Sequence, residues 1–337
     1  MKVEVQSFPL VSVVILNYNG LEYLKGILQE CLESVLKSNY PNLEVIFVDN
    51  GSTDGSADFV AKNYPKIKII KNNRNLGFSE GFNMGIRASK GKYIALLSND
   101  MTVDPNWLNP IITLMEKDQK IGLAGFKRLV LGTKNFIDGI GGNLYLCGRA
   151  RSIGREIDRG QYDRIIEDLD FIGGAMVLRR ETLKKTGLFD PYLFIFSEDI
   201  DLCYRIRKHG YKVIYVPQSI IYHKGQATLK NLDAGAYYLE YMANRSRIRC
   251  AIIHFTFKRL LSMLLIDAIW LTLTYPKGKK ALIKAYWWNL KHIDNTLRTR
   301  LQYGPSPPYK CKPPILPFKL SSLTKRVKKL LAKATLG

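Results

Sequence analysis

Three apolar runs in the first hundred residues each stop at Asn or Asp, and this narrows the choice of fold more than any other feature. Ile15 and Leu16 lead into Asn17 and Asn19, Val45 to Val48 lead into Asp49 and Asn50, and Ile94 to Leu97 lead into Asn99 and Asp100. Runs that are apolar at successive positions fit strands covered by helices on both faces. In an open parallel sheet the ligand crevice lies beyond the carboxyl ends of the strands. Polar residues delivered there by separate strands converge on one place. Asn and Asp also form turns and cap helices, which would account for any one of these endings but poorly for three in succession.

Between the runs, Leu21, Leu24, Leu28, Leu32, Val35 and Leu36 recur at helical spacing, and Tyr40-Pro41 stops that helix. Ser52, Thr53 and Asp54 are N-cap residues for a helix reaching Asn63. A short strand at 67–71 follows, then a glycine-rich turn and a helix from about Ser79 to Ser89. Asp104-Pro105 reads as the cap and first-turn proline of another helix. This alternation predicts an α/β fold, a mostly parallel sheet flanked by helices with right-handed crossovers. From about 125 to 165, Gly132, Gly139, Gly141, Gly142, Gly148 and Gly154 break any period, so loops and antiparallel excursions are expected. Regular structure returns with FIGGAMVLRR at 171–180. The pattern is helical from Tyr237 onward, with a proline-rich break at 305–317 and a basic amphipathic helix at 325–334.

Charge separates the chain into parts. Of 337 residues, 51 are Lys or Arg and 29 are Asp or Glu, a net charge of +22. From Asn244 onward there are 20 basic and 2 acidic residues, so 18 of the 22 excess charges lie there. We expect one domain over 1–243 and a basic, mainly helical extension over 244–337. Such asymmetry marks an interaction surface for anionic lipid, nucleic acid or an anionic substrate. The five cysteines show no CxxC spacing, which fits a reduced compartment and offers no zinc motif. Residues 1–10 lack the apolar core of a signal peptide, and the Leu-rich stretch at 260–275 contains Asp267 and is short of the ~20 apolar residues of a span. The expected location is cytoplasmic and peripheral on a membrane face.

The segment FIFSEDIDLCYRIRKHGYKVIYVPQSIIYHKG at 194–225 sets Glu198 and Asp199 before a short amphipathic helix, then runs a strand out to His223. A general base and a metal ligand are the chemistry those residues offer; a buried structural histidine is the plainer account of His223. Gly77, Gly81 and Gly85 form neither GxGxxG nor a Walker loop, and fit a helix start packed closely on a sheet. Gly173-Gly174 allows a close backbone approach to a ligand.

Taken together, VSVVILNYNG, VDNGSTDGS, NRNLGFSEGFNMGI, ALLSNDMTVDPNWL, FIGGAMVLRRETLKKTGLFD and FSEDIDLCYRIRKHGYKVIYVPQSIIYHKG resemble, in order, the family 2 glycosyltransferases of the GT-A fold, especially their rhamnosyltransferase-like branch. The resemblance covers about residues 10–245. It implies an inverting transfer of a sugar from a nucleoside diphosphate sugar to a glycan or lipid-linked acceptor. It implies Asp49 as a partner of the base or ribose, with Leu16, Asn17 and Asn19 packed on the nucleotide. The NLGF stretch with Gly77, and Asn83 beyond it, would lie by the sugar nucleotide, as would Asn99 and Gly174. Asp100 would hold Mg²⁺ or Mn²⁺, although the motif reads Ser98-Asn99-Asp100 and lacks its first acidic position. His223 would complete the metal site, Asp199 would be the base with Glu198 in support, and Arg245 of the Asn244-Arg245 pair would meet a phosphate. Two other classes compete. A nucleic-acid-binding protein would explain the basic third, but no RNA or DNA motif is present. A nucleotidyltransferase would carry a Gly-rich basic loop where this chain has NYNGLEYL.

Overall fold

Strand β1 (Val11–Asn17) forms the middle of a parallel sheet because its residues are apolar on both faces: Val11, Val13, Val14 and Ile15 are all fully buried. It pairs in parallel with β2 (Leu43–Asp49) and β4 (Tyr93–Ser98), and β2 pairs in parallel with β3 (Lys68–Lys71). The register brings the polar endings level. Asn17 stands opposite Asp49, and Leu16 opposite Ser98. The computed structural model describes residues 8–133, 135–224, 235–273 and 276–304.

One face of these strands packs on α2 (Ile27–Leu36), through Leu28, Cys31, Leu32 and Val35. The helix expected from Leu21 to Leu36 is interrupted: α1 (Gly20–Leu24) ends at Lys25, and both Lys25 and Gly26 adopt positive φ. Two left-handed residues in succession cannot continue an α-helix. After α3 (Ser56–Asn63), α4 (Gly77–Ala88) covers the other face. Its glycines explain themselves here. A Cβ on Gly81 would stand 2.7 Å from Leu16, and one on Gly85 would collide with Val14, so the helix lies on β1 at a distance that no larger residue allows.

Beyond β4 come β5 (Met101–Val103) and α5 (Asn109–Lys117). The helix expected to open at Asp104-Pro105 begins later. Asp104 Oδ1 instead accepts from the Asn106 amide at 2.9 Å in a turn, and Pro110 takes the early helical position. The glycine-rich region holds more strand than its sequence suggests: β6 (Ile121–Val130), β7 (Phe136–Gly139), β8 (Gly141–Leu144), β9 (Ala150–Ile153) and β10 (Glu156–Ile157). β11 (Met176–Arg179) runs antiparallel between β4 and β6, giving the order β10-β7-β6-β11-β4-β1-β2-β3.

Helix α6 (Arg180–Thr186), a 3₁₀ turn (Pro191–Leu193) and α7 (Glu198–Lys208) lead to the long strand β12 (Lys212–His223). β12 runs parallel to β6 and antiparallel to β5, with a register shift between Val216 and Ile220. Pro217 within that shift has no N–H for the ladder. Past the shift, His223 pairs opposite Met101, so the strand delivers its last side chain beside Asp100.

The chain divides into two compact units, one from the described residues of Met1–Gly142 and Ser152–Gly235, the other from those of Asn143–Arg151 and Ala236–Gly337. The boundary expected at 243/244 falls inside α8 (Gly235–His254). The second unit continues with α9 (Phe257–Leu273), α10 (Pro276–Lys291) and α11 (Ile293–Tyr303). Its interior is tied by a buried ion pair, Arg247 Nη2 to Asp267 Oδ2 at 2.7 Å, with the Tyr286 hydroxyl donating to the same oxygen at 2.6 Å. Asp267 thus has a structural partner, which accounts for a charge in the Leu-rich stretch. The proline-rich break at 305–317 and the basic stretch at 325–334 lie outside the described residues.

Candidate functional site

The level strand ends carry a network of short polar side chains. Asn17 is fully buried; its Nδ2 donates to Asp49 Oδ1 at 3.2 Å and to Ser52 Oγ at 3.1 Å, and its Oδ1 accepts from Asn99 Nδ2 at 2.7 Å. Asn19, with φ 48°, donates its backbone N–H to Ser52 Oγ at 2.9 Å and accepts from the Thr53 amide at 2.9 Å. The loops after β1 and β2 are therefore interlocked. Asp49 accepts from Asn17 and from the Ser52 amide, and its two oxygens keep further lone pairs for a ligand.

Asn50 does something the sequence does not announce. Its Oδ1 accepts from Asn72 Nδ2 at 3.0 Å and the Leu76 amide at 3.1 Å, while its Nδ2 donates to Asn75 Oδ1 and the Gly77 carbonyl, each at 3.0 Å. The NRNLG loop is shaped around that one amide. Asn83 is buried, and its amide donates to the Phe189 carbonyl at 2.9 Å and accepts from the Phe189 N–H at 3.0 Å. Its hydrogen bonding is given to a turn of the chain rather than to an open surface. At Gly77, φ is +79°, and an added Cβ would stand 2.5 Å from the Phe194 ring. The first amides of α4, from Phe78 and Ser79, donate to the Phe194 carbonyl at 2.6 and 3.2 Å.

On the opposite side, the chain enters α7 through Phe194, Phe196 and Ser197, all at positive φ. Such residues cost of order 1–3 kcal/mol each and collect at functional sites. They set Glu198 and Asp199 on the first turn of α7, where the helix N-terminus favours a carboxylate. Burial nevertheless pushes Asp199 up to about 6, with the Ile200 N–H and the Arg128 charge pulling the other way. Glu198 is raised well above the usual carboxylate range by burial and by its neighbours Asp199 and Asp201, and its Oε2 is buried without a hydrogen-bond partner. Asp201 has a different duty: its Oδ2 accepts from Arg205 Nη2 at 2.6 Å and Nε at 3.0 Å, with both side chains fully buried.

His223 sits between two carboxylates. Nδ1 is 2.9 Å from Asp138 Oδ2 and Nε2 is 3.3 Å from Asp100 Oδ2. Burial lowers the imidazole pKa, but both carboxylates outweigh it and carry the group to about 9. Asp138 is held at about 2: burial works against its charge, and His223 and Arg128 outweigh burial. Arg128 Nε donates to Asp138 Oδ2 at 3.2 Å, and its Nη1 donates to the Gly173 carbonyl. The order Arg128, Asp138, His223, Asp100 is a continuous chain of contacts. Arg128 and Asp138 escaped the sequence reading because they lie in the glycine-broken region. Once β6 and β7 are seen to pair, they are opposite-charge neighbours on one sheet.

This donor set fits a divalent cation. Asp100 Oδ1 is buried and accepts no hydrogen bond, and Nε2 of His223 stands beside the same carboxylate. Metal-ligating histidines commonly give their other ring nitrogen to a carboxylate, which is the position of Asp138. Among the described residues no group of three or more His, Cys, Asp or Glu is arranged around one ion position. Further ligands would come from water and substrate phosphate, as divalent ions at phosphate sites commonly use.

The family model described as "Glycosyl transferase family 2" matches residues 12–187. An uncharacterized glycosyltransferase of Haemophilus influenzae is 34% identical over 146 residues, 42% of this chain and 43% of that protein. The chain thus spans less than half the length of that curated relative. Among solved structures, GalNAc-T7 with UDP, GalNAc and Mn²⁺ aligns with a TM-score of 0.62 at 18% identity, covering 91% of this chain and 59% of the other. The mannosyltransferase PcManGT from Pyrobaculum calidifontis, in complex with GDP-Man and Mn²⁺, aligns with a TM-score of 0.52 at 17% identity, covering 88% and 80%. At these identities the structural likeness speaks for the fold.

Proposed function

Since the chain belongs to glycosyl transferase family 2, we propose that it moves a sugar from a nucleoside diphosphate sugar to a glycan or lipid-linked acceptor by single displacement with inversion. The fold is of the GT-A type, and the chain is a glycosyltransferase. The observation that carries the mechanistic reading is the set of carboxylates at the carboxyl edge of the sheet: Asp49 in register with Asn17, Asp100 beside His223, and Asp199 with a pKa raised to about 6.

In this reading Asp49 accepts hydrogen bonds from the nucleoside, with Leu16, Asn17 and Asn19 shaping the wall against it. Asn99 and Asn83 position backbone and side chains around the donor. Gly77 and Gly174 leave room where the chain turns. Asp100 and His223 would hold Mg²⁺ or Mn²⁺, which when bound supplies positive charge to the departing diphosphate. Asp199 accepts the proton of the acceptor hydroxyl as its oxygen bonds to the anomeric carbon and the bond to the diphosphate oxygen breaks. Glu198, whose pKa is raised by burial and by the neighbouring Asp199 and Asp201, lies next to that carboxylate. The motifs that resemble the rhamnosyltransferase-like branch make deoxyhexose donors the first to try.

Thermal melts with UDP-, dTDP- and GDP-sugars in the presence of Mn²⁺ test donor binding, because a ligand that binds the folded form raises its Tm. A shift with one donor class is expected. A folded protein whose Tm moves with none of them would end this reading.

The second unit supports a peripheral position on an anionic membrane, where a lipid-linked acceptor would be met. Ile283, Trp287 and Leu290 are exposed along one face of α10, with exposed Lys280, Lys284 and Lys291 among them. On α9, Phe257, Leu261, Leu264, Leu265 and Ile269 are exposed as well, Phe257 by 79%. Apolar and aromatic side chains interleaved with lysines fit a headgroup region of negative charge. No helix among the described residues is long and apolar enough to cross a membrane. Co-sedimentation with phosphatidylglycerol vesicles at low salt is expected, reduced several-fold in Trp287→Glu. Absence of binding, or binding indifferent to Trp287→Glu and to salt, would remove the membrane from the account.

A further inference from the structure

Arg128 lies on β6 and touches both sides of the site. Its Nε donates to Asp138, the partner of His223, and its Nη1 donates to the carbonyl of Gly173. A Cβ on Gly173 would run into the Asp199 carboxylate, and a Cβ on Gly174 would stand 3.0 Å from Arg128 Nη1. The carboxylate and the guanidinium therefore lie over consecutive glycines. Gly174 takes φ +84°, which the chain needs to turn between them. Among the described residues, Glu198 and Cys203 on its own helix interact with Asp199, and Arg128 acts on it from the sheet.

We infer that Arg128 is a positioning residue for the transfer. Clamped by Asp138 and by the Gly173 carbonyl, it fixes the Gly173-Gly174 backbone beneath Asp199 and keeps that carboxylate ready to take a proton. The inference rests on the reading of Asp199 as the base. It assigns Arg128 no contact with substrate. Its planar fork serves two acceptors in different directions, which a lysine cannot reproduce. Its charge opposes the burial that raises the Asp199 pKa.

The test is the pH dependence of kcat for wild type, Arg128→Gln and Arg128→Lys, with donor binding followed by thermal shift. Arg128→Gln is expected to move the acid limb upward by about one pH unit, so that activity relative to wild type falls about 5-fold more at pH 6 than at pH 8.5. Donor binding should stay within about threefold of wild type. Arg128→Lys keeps the charge and should leave the limb near its wild-type position while kcat falls at every pH, because the backbone clamp is lost. A uniform loss with an unmoved limb in Arg128→Gln would overturn the inference, as would wild-type behaviour. If Arg128→Gln does not melt cooperatively, Arg128→Lys decides: a limb displaced despite the retained charge, or no loss of kcat, overturns it. Asp199→Asn in the same assay separates the two readings. Full activity there removes the base; an inactive Asp199→Asn with an unmoved limb in Arg128→Gln removes only the role of Arg128.

Discussion

Asp138 holds Nδ1 of His223 at 2.9 Å, and this one contact decides which nitrogen faces Asp100. With Nδ1 engaged, Nε2 is left toward the Asp100 carboxylate, whose Oδ1 has no other partner. Loss of such an outer carboxylate typically costs 10–100-fold in metal affinity. Asp138→Asn is therefore expected to raise the Mn²⁺ concentration at half-maximal activity by about tenfold or more, with saturated activity largely restored. Asp100→Ala should abolish transfer at any Mn²⁺ concentration, and His223→Ala should weaken it most at low Mn²⁺. Titration of activity with Mn²⁺ after chelation reads all three. Undiminished activity in excess chelator would return His223 to a structural role.

The pH dependence follows from Asp199. A base must be ionised to work, and burial sets this carboxyl at about 6. Activity should therefore rise with pH through about 6 and level off above it. The linked effect on stability has the opposite sign. A carboxyl whose pKa is higher in the folded than in the unfolded protein binds more protons when folded, so stability falls as pH rises between the ordinary carboxylate range and about 6. Asp199→Asn removes that cost. It should lower transfer by roughly 10²-fold or more and leave Tm at pH 7.5 equal or higher. A mere helix-capping aspartate would show the reverse, a lower Tm with activity kept.

The parallel half of the sheet was legible because β1, β2 and β4 are largely apolar runs that end in polar residues, a pattern that fits covered parallel strands. The place of Asp49 and Asp100 at one edge followed from the same pattern, whereas His223 was singled out by the segment at 194–225 and by the family resemblance. What was not legible depends on pairing rather than on period. β6 and β7 bring Arg128 to Asp138, yet their sequence is broken by glycines whose purpose appears only when the neighbouring side chain is seen: Ile172 over Gly125, Arg128 over Gly139. The break at Lys25-Gly26 and the late start of α5 were likewise missed. A strong helical period continues across a left-handed pair, and Asp104-Pro105 serves a turn as readily as a cap.

Gly173 offers a test of geometry without a change of charge. An added Cβ would meet the Asp199 carboxylate and has no other side chain nearer than Phe171, at 3.6 Å. Gly173→Ala should displace Asp199 and lower kcat by about 10-fold or more, since small misplacements of a reacting group cost that much. Donor binding, read by thermal shift, should change little. Gly174→Ala would add backbone strain at φ +84° and press on Arg128, so it is expected to lower Tm as well. A Gly173→Ala enzyme with wild-type kcat would place the base away from this glycine.

Asp201 provides the contrast that isolates the role of Asp199. The two carboxyls are two residues apart on α7, but Asp201 is fully buried and paired with Arg205 by two hydrogen bonds, at 2.6 and 3.0 Å. Arg205 also donates to the Thr186 carbonyl at 2.5 Å, tying α7 to the end of α6. Removing one partner of a buried pair leaves the other charge uncompensated, at a cost of about 3–5 kcal/mol. Asp201→Ala should therefore lower the stability measured by urea unfolding by about that amount. Activity per folded molecule, measured well below the melting temperature, should remain within about threefold of wild type, because nothing in the transfer passes through Asp201. A stable but inactive Asp201→Ala protein would move the chemistry from Asp199 to the buried side of the helix. An unstable, active one leaves Asp199 as the carboxylate at the site.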